Sequence, residues 1–147
     1  MDNLAHRIMG LDYGDVRIGV ALSDTTHLIA TGFETYTRKT NKLDIAHLKQ
    51  IIAENAVNKV VFGLPLNMDG SAGIRVVKTK SFAEKLKAEC DVEIDFYDER
   101  LSSVDAEEIL VYAGVRRDKR KAVIDKLAAT LILQGYLDKE RENNKNG

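Results

Sequence analysis

The sequence predicts an α/β domain built on a mixed five-stranded sheet with helices on both faces. Two strand patterns joined by a short turn open the chain at residues 7–24, and a third strand pattern follows at 28–37. After residue 40, helical and strand patterns alternate, which is typical of parallel strands connected by crossover helices. Right-handed crossovers then give the strand order 3-2-1-4-5, with strand 2 antiparallel and strand 1 central.

The opening hairpin contains one residue that does not fit its strand. Residues 7–24 read RIMGLDYGDVRIGVALSD, in which apolar residues lead into and out of a turn at Gly14-Asp15. Asp12 occupies a strand position although Asp is disfavoured in strands, and a buried carboxylate is costly unless it is paired or binds a metal ion. Asp12 is therefore either a structural hairpin residue or a member of an acidic site.

A third strand and a first helix follow the hairpin. The strand at 28–37 has Gly32 in its interior, which indicates a β-bulge or a close approach by another part of the chain. Thr40 or Asn41 can cap a helix that runs to about residue 55. The apolar residues that share one face of this helix are Ile45, Leu48 and Ile52.

The middle of the chain predicts a strand, a helix and an edge strand. The nearly continuous apolar run at 59–64 is typical of a parallel strand covered on both faces. Pro65 ends it, and a loop leads to a helix over about 74–89. Residues 91–97 alternate between apolar and polar side chains, as an exposed edge strand does. The residues expected on the inner face of the helix are Val76, Phe82, Ala83 and Leu86.

Two further helices are predicted after the fifth strand. Ser102 or Ser103 can cap the first, and Gly114 can end it after Ala113. The second is expected from residue 119 or 122 to Leu137. Small residues follow Asp125 on one face of this last helix, so that Asp125 is expected to point towards the sheet. If the helical phase were off by one position, Asp125 would be a surface residue.

Length and composition indicate one soluble globular domain. With 147 residues, 44% hydrophobic and 31% charged, the chain can bury one core. No apolar stretch approaches the roughly 20 residues of a membrane span. We assign residues 1–140 to the domain and the charged residues 141–147 to a disordered tail. A single cysteine, Cys90, excludes an internal disulfide and a cysteine metal site, which predicts a cytoplasmic protein.

The charges nearly cancel over the whole chain. The 22 Lys and Arg residues oppose 23 Asp and Glu residues, for a formal net charge of -1, which argues against a highly basic nucleic-acid coat protein. One basic cluster, RRDKRK at residues 116–121, stands just before Asp125. Such a cluster is either a solvated loop or a surface that follows a phosphate backbone.

Three carboxylates are expected to meet at one edge of the sheet. Asp12 lies late in the first strand, Glu99 directly follows the fifth, and Asp125 projects from the last helix. Grouped carboxylates repel one another and need cations, and Mg²⁺ or Mn²⁺ prefers oxygen ligands. Two such ions can promote hydrolysis of a phosphodiester bond. Taken alone, Glu99 is equally explained as a solvated strand end or as an ion-pair partner of Arg100.

Four ordered blocks resemble a known family. LDYGDVRIGVALSD, FGLPLNMDGS, YDERLSS and DKLAATLILQGYL are similar to the signature blocks of the YqgF (RuvX) family, small bacterial proteins similar to the RuvC Holliday-junction resolvases. The resemblance covers the chain from about Ile8 to Leu137. It implies a ribonuclease H-like fold and an acidic metal site in which Asp12, Glu99 and Asp125 are the catalytic residues. It further implies a cytoplasmic nuclease that matures the 5′ end of pre-16S rRNA.

The expected nucleic-acid contacts surround these carboxylates. Arg17 and Arg100 are candidate phosphate contacts, and the loop at 63–71 can direct backbone N–H groups, Asn67 and Ser71 towards a phosphate, although it is equally explained as an ordinary strand-to-helix connection. Tyr13 is either a platform for a base or a core residue. We expect structured RNA, recognised by shape and phosphates, as the substrate. The basic residues expected to follow the backbone further away are Arg116, Arg117, Lys119, Arg120 and Lys121.

Three other functions compete with an rRNA nuclease. The same fold could resolve branched DNA, or it could be a catalytically silent RNA-binding factor. A nucleotide-binding module similar to actin-like ATPases would need a second domain, for which 147 residues leave no room. We expect no membrane partner and a monomer or weak homodimer, because Glu93 and Asp95 would discourage pairing at the fifth strand.

Overall fold

Five strands form a single mixed sheet, and over the described residues the element order follows the predicted one. The structure is a computed structural model that describes residues 5–65, 73–98 and 117–146, with side chains in the last helix described for residues 123–144. The elements are β1 (Arg7–Tyr13), β2 (Arg17–Ser23), β3 (Ala30–Thr37), α1 (Asn41–Glu54), β4 (Val57–Leu64), α2 (Ile74–Glu89), β5 (Glu93–Asp98) and α3 (Arg117–Asn146).

The strand order is β3-β2-β1-β4-β5, which confirms the predicted topology. β2 pairs antiparallel with β1 and β3, whereas β4 pairs parallel with β1 and β5. The β1–β2 turn is closed by the Gly14 N–H, which donates to the Arg17 carbonyl oxygen at 2.9 Å. Within this hairpin Asp12 stands directly opposite Gly19. The strand that carries Asp12 is therefore central, as predicted.

Two apolar layers cover the two faces of the sheet. On one face, the larger core joins the inner sides of α1 and α2 to residues such as Met9, Leu11 and Phe62. On the other face, a smaller core joins Ile8 and Val61 to α3. The inner-face residues predicted for α1 and α2 are all buried, which confirms the helical periods. The Thr40 side chain caps α1 by accepting a hydrogen bond from the Leu43 N–H at 3.2 Å.

The prediction for Gly32 is confirmed, but β3 begins later than predicted. The β2–β3 register shifts between Val20 and Ala21, and a Cβ at Gly32 would lie 2.7 Å from Cγ of Lys126 on α3. Leu28 and Ile29 do not belong to the strand. Their N–H groups both donate to the Asp24 carboxylate at 2.8 Å, and this local bonding delays the start of the strand to Ala30.

The edge strand β5 is partly covered on the face that was predicted to be polar and exposed. Ile94 and Phe96 pack against the larger core, as expected. On the opposite face, Asp95 accepts a hydrogen bond from the Tyr136 hydroxyl at 2.8 Å, and Tyr97 packs against the smaller core. Asp95 and Tyr97 of this face thus contact α3, which the alternation of residue types alone could not indicate, whereas Glu93 is exposed and pairs with Lys59 of β4.

The last helix is longer than predicted. α3 begins at Arg117 and continues past Leu137 to Asn146, so the predicted helix end was wrong. Arg141 forms an ion pair with Asp138 and donates to the Leu28 carbonyl oxygen at 3.1 Å. These polar contacts stabilise the final turns of α3, and a prediction from apolar periodicity does not take them into account.

Some predictions concern parts of the chain that the structure does not describe. The helix expected at 102–113 lies outside the described residues, as does the loop at 66–72. Among the helices of the described ranges, none combines the length and the apolar character needed to cross a membrane. The single cysteine, Cys90, is buried after α2.

Candidate active site

Two glycines let α3 lie directly on the centre of the sheet. A Cβ at Gly10 of β1 would lie 2.6 Å from the Leu133 Cβ, and a Cβ at Gly19 of β2 would overlap the backbone of Asp125. Only glycine permits such close contact between a helix and a strand. The fully buried Ala128 and Ala129 continue the same contact surface along α3. α3 therefore crosses β2 where the backbone of Asp125 rests on Gly19.

This crossing brings the Asp12 and Asp125 side chains together. Residues directly opposite each other in an antiparallel pair project from the same face of the sheet, and Asp12 is the partner of Gly19. Asp12 therefore projects from the face on which Asp125 of α3 rests. This placement confirms the predicted helical phase, in which Asp125 faces the sheet.

The electrostatics of Asp12 reflect this proximity. Burial, and after it the negative charge of Asp125, raise the pKa of the Asp12 carboxyl to about 6, although the positive charge of Arg75 opposes both effects. A carboxylate that is half-buried beside a second carboxylate is stabilised by any added cation. The pair therefore provides two hard oxygen donors from different elements, and this donor set suits Mg²⁺ or Mn²⁺.

Arg17 forms an ion pair with Asp125. The Arg17 Nε donates to Asp125 Oδ2 at 2.5 Å, and the two side chains are 30% and 19% exposed. The sequence suggested Arg17 only as a phosphate contact. Its position two residues before Gly19 on β2 places it on the same face of the sheet as Asp12, so it can reach α3.

Two arginines that the sequence analysis missed hold the backbone that follows Asp12. Arg75, in the first turn of α2, donates to the Tyr13 carbonyl oxygen at 3.1 Å and pairs with Asp15 at 2.8 Å. Arg38, just after β3, donates to the Gly14 carbonyl oxygen at 3.1 Å. The guanidinium of Arg38 also lies 4.6 Å from the centre of the Tyr13 ring.

Arg38 is itself held by a fully buried carboxylate. Asp44 of α1 has 0% of its surface exposed and accepts hydrogen bonds from Arg38 Nε at 2.9 Å, the Tyr36 hydroxyl at 3.0 Å and the Lys39 N–H at 2.8 Å. Burial alone would raise the pKa of Asp44, but these hydrogen bonds outweigh it and hold the pKa below its usual value. One signal was available in the sequence, since Asp44 precedes the buried Leu48 by four residues on the same helical face.

The Tyr13 ring and the side chains of His27 and His47 contact other parts of the fold. Tyr13 is buried, with its ring centre 4.6 Å from that of Phe82, so the alternative of a core residue is the correct one. His47 stacks on Tyr36 and pairs with Glu34 at 2.7 Å, on the face of α1. His27 bonds to the His6 carbonyl oxygen at 2.8 Å.

Of the remaining predicted site residues, some lie in the described part of the chain and others do not. Glu99 follows Asp98, which ends β5 beside Leu64 of β4. Within the described ranges no three His, Cys, Asp or Glu side chains are close enough to share a metal ion. The first turns of α3, of which the structure describes the backbone, contain four of the predicted contacts: Arg117, Lys119, Arg120 and Lys121. Those that lie outside the described residues are Glu99, Arg100, Asn67, Ser71 and Arg116.

Solved structures with a similar fold include two resolvases. RuvC of Thermus thermophilus, in complex with a Holliday junction substrate, matches 92% of this chain and 96% of its own at a TM-score of 0.56 and 13% identity. The Fowlpox virus resolvase with Holliday junction DNA matches 90% of this chain and 97% of its own at a TM-score of 0.52 and 13% identity. At these identities the similarity concerns the fold, and it agrees with the ribonuclease H-like architecture expected from the resemblance.

Sequence relatives are much closer. A protein of Clostridioides difficile (strain 630), named "Putative pre-16S rRNA nuclease", is 55% identical over 132 residues, which cover 90% of this chain and 94% of its own. A protein of Halothermothrix orenii with the same name is 51% identical over the same shares of the two chains. The model of the family described as "RuvX: Holliday junction resolvase" matches residues 6–139. The chain therefore belongs to the RuvX family.

Proposed function

We propose that this protein is a divalent-metal-dependent nuclease that hydrolyses phosphodiester bonds in RNA and matures the 5′ end of pre-16S rRNA. The observation that carries the proposal is the meeting of Asp12 and Asp125, two carboxylates far apart in sequence, where α3 crosses Gly19. The names of the relatives in Clostridioides difficile and Halothermothrix orenii support rRNA as the substrate.

In this proposal the carboxylates are the metal ligands and the catalytic residues. Asp12 and Asp125, with Glu99 as the third member, would hold one or two Mg²⁺ or Mn²⁺ ions. When bound, these ions supply an activated water molecule and stabilise the leaving oxygen of the phosphodiester. Asp12 must lose its proton to bind a cation, and Arg75 favours that loss by lowering the pKa of Asp12. Arg38 and Arg75 keep the Asp12 backbone in place, which a preorganised site requires.

The nucleic acid would lie across the end of the sheet where Asp12 and Asp125 meet. The residues 117–121, RDKRK, form the start of α3, the same end of the helix that carries Asp125. Positive charge at this position would attract phosphates without reading sequence. The contacts proposed beside these are Arg17, Asn67, Ser71, Arg100 and Arg116.

A cleavage assay with matched variants tests the proposal. Wild type, Asp12→Asn and Asp125→Asn are incubated with a transcript that contains the 5′ end of pre-16S rRNA, with Mg²⁺, with Mn²⁺ or with EDTA. We expect cleavage by wild type that needs the metal and a loss of at least about 100-fold in each variant, because each removes a ligand charge. Asp138→Asn is the control, since Asp138 lies on the exposed, distant part of α3. Equal cleavage by Asp12→Asn and wild type would refute the proposal.

Branched DNA is the second candidate substrate. The family description and the fold shared with RuvC bound to a Holliday junction favour it. Side-by-side assays on a four-way DNA junction and on the precursor RNA would decide between the two substrates. Faster cleavage of the junction would identify branched DNA as the substrate. Binding of the RNA without cleavage of either substrate would instead indicate a catalytically silent RNA-binding factor.

The cellular setting is proposed from composition. We propose a cytoplasmic location, which the single cysteine of the chain supports, because disulfides are rare in the cytosol. We propose a monomer or weak homodimer. Sedimentation velocity at micromolar concentration measures the oligomeric state, and a stable dimer would contradict this proposal.

A further inference from the structure

We propose that Arg17 is the resident counter-ion of Asp125 and that it leaves this carboxylate when a divalent cation binds. The inference deepens the proposed function and rests on it, because it takes Asp125 as a metal ligand. Its basis is the 2.5 Å contact between Arg17 Nε and Asp125 Oδ2 at the point where Asp12 and Asp125 meet. Arg17 is thus a positioning residue, which acts through Asp125.

Two arginines act on the carboxylates of the site in different ways. Arg17 bonds directly to Asp125, whereas Arg75 forms its ion pair with Asp15 and acts on Asp12 only through its charge. Asp125 thus has an ion-pair partner without any metal ion. A guanidinium keeps its charge at every accessible pH. It therefore cannot yield to a divalent cation by losing a proton, and two positive charges at one partly buried carboxylate repel each other strongly.

The mobile member of the pair is Arg17. The backbone of Asp125 rests on Gly19 with no room for even a Cβ, so it keeps a fixed position for as long as α3 stays docked on the sheet. Arg17 stands at the first position of β2, and its side chain is 30% exposed against 19% for Asp125. A long side chain at the rim of the sheet can rotate into solvent at little cost.

This exchange reconciles two roles for Arg17. The sequence suggested a phosphate contact, whereas the structure shows an ion pair with a candidate metal ligand. A guanidinium released from Asp125 at this edge is free to bind phosphate bidentately. Binding of the cation and binding of the nucleic acid would then favour each other.

Titration of the wild-type protein provides a direct test. The Arg17 Nε–H signal is followed by ¹H–¹⁵N NMR during titration with Mg²⁺ and is assigned by its absence in Arg17→Lys. We expect the signal to move to the position of a free arginine as Mg²⁺ saturates the site. A signal that stays unchanged while backbone amides near Asp12 and Asp125 shift would overturn the exchange and leave the metal site intact. If no signal responds to Mg²⁺, the proposed function itself fails.

The affinity for Mn²⁺, measured by calorimetry, separates this role from a purely structural one. Arg17→Gln removes the competitor, so we expect its Kd for Mn²⁺ to fall about fivefold, which corresponds to the upper end for a partly exposed ion pair. Arg17→Lys keeps the charge and should bind like wild type. Arg141→Gln breaks a matched Arg–Asp pair on the distant part of α3 and should also leave the Kd unchanged. Unchanged or weaker binding by a folded Arg17→Gln would contradict the proposal, since a merely structural ion pair predicts that result.

Discussion

The Asp12 carboxyl is held in its neutral form to a higher pH than an ordinary Asp, because it is half-buried and lies near Asp125. A raised pKa in the folded state means that the folded protein binds this proton more tightly than the unfolded chain does. The contribution of Asp12 to stability therefore falls as the pH rises from about 4 to about 6 and stays lower above that range. Asp12 thus opposes folding at neutral pH, as a residue retained for function would.

Asp12→Asn should for this reason stabilise the protein while it abolishes metal binding. We expect a gain of about 1–3 kcal/mol in the free energy of unfolding at pH 8, estimated from the size of the pKa shift. The gain should disappear near pH 4, where Asp12 is protonated in both states. Urea unfolding at the two pH values measures this. A variant less stable than wild type at pH 8 would mean that the Asp12 carboxylate is well compensated without metal.

Gly19 decides whether α3 can rest on the sheet. In Gly19→Ala the new methyl group would overlap the Asp125 backbone, which cannot move without displacing the helix. We expect a loss of more than about 3 kcal/mol of stability, at the severe end for overpacking. Gly32→Ala is the matched control, because its Cβ would meet side-chain atoms of Lys126 and Thr130, the nearest of them 2.7 Å away, and no helix backbone. Comparable stability losses in thermal unfolding of the two variants would contradict this account of the crossing.

At the scale of elements, the Asp44–Arg38 pair connects α1 to the turn after β1. Asp44→Asn keeps the shape of the side chain but leaves the Arg38 guanidinium without a buried counter-ion. We expect a loss of about 2–4 kcal/mol at pH 7, since breaking a buried pair is strongly destabilising. Because the pKa of Asp44 is lowered, its contribution is present at neutral pH and is lost as the pH falls below its usual value.

Urea unfolding of Asp44→Asn at pH 7 checks this value. Glu34→Gln is the control, because it breaks the pair between Glu34 and His47, whose side chains are about one-third exposed. Such an exposed pair contributes less than about 1 kcal/mol. If both variants lost equally little, Asp44 would not organise the turn that follows Asp12.

The elements also show where sequence patterns succeed and where they stop. The bounds of α2 and the inner faces of α1 and α2 follow from the 3.6-residue period, because one wide face of each helix is apolar. The start of β3 and the end of α3 were misplaced because they depend on single polar contacts, those of Asp24 and Arg141. Polar contacts of this kind leave no periodic signal.

At the scale of the whole molecule, a divalent cation should stabilise the fold by binding elements that are remote in sequence. At a Mn²⁺ concentration of 100 times Kd we expect about 2.7 kcal/mol of added stability, which raises the thermal midpoint. The effect should weaken as the pH falls through about 6, since Mn²⁺ must then displace the proton on Asp12. Differential scanning fluorimetry with Mn²⁺, with Ca²⁺ and with EDTA measures it. An equal shift of the thermal midpoint in Asp12→Asn would show that the cation binds at a site without Asp12.

The sequence by itself determined the strand order, the helical faces and the central position of Asp12. These follow from periods of two and 3.6 residues and from the short connections between neighbouring elements, all of which are local properties. The resemblance of four blocks added the family, which the relatives confirm.

Only the tertiary structure decided what surrounds the candidate site. Arg17 and Asp125 are 108 residues apart, and their contact depends on the angle and height at which α3 crosses Gly19. The arginines that hold the Asp12 turn come from the end of β3 and the start of α2. Each of these partners is a charged residue that local patterns assign to the surface. Their pairing depends on how packed elements meet in space, which no short stretch of sequence specifies.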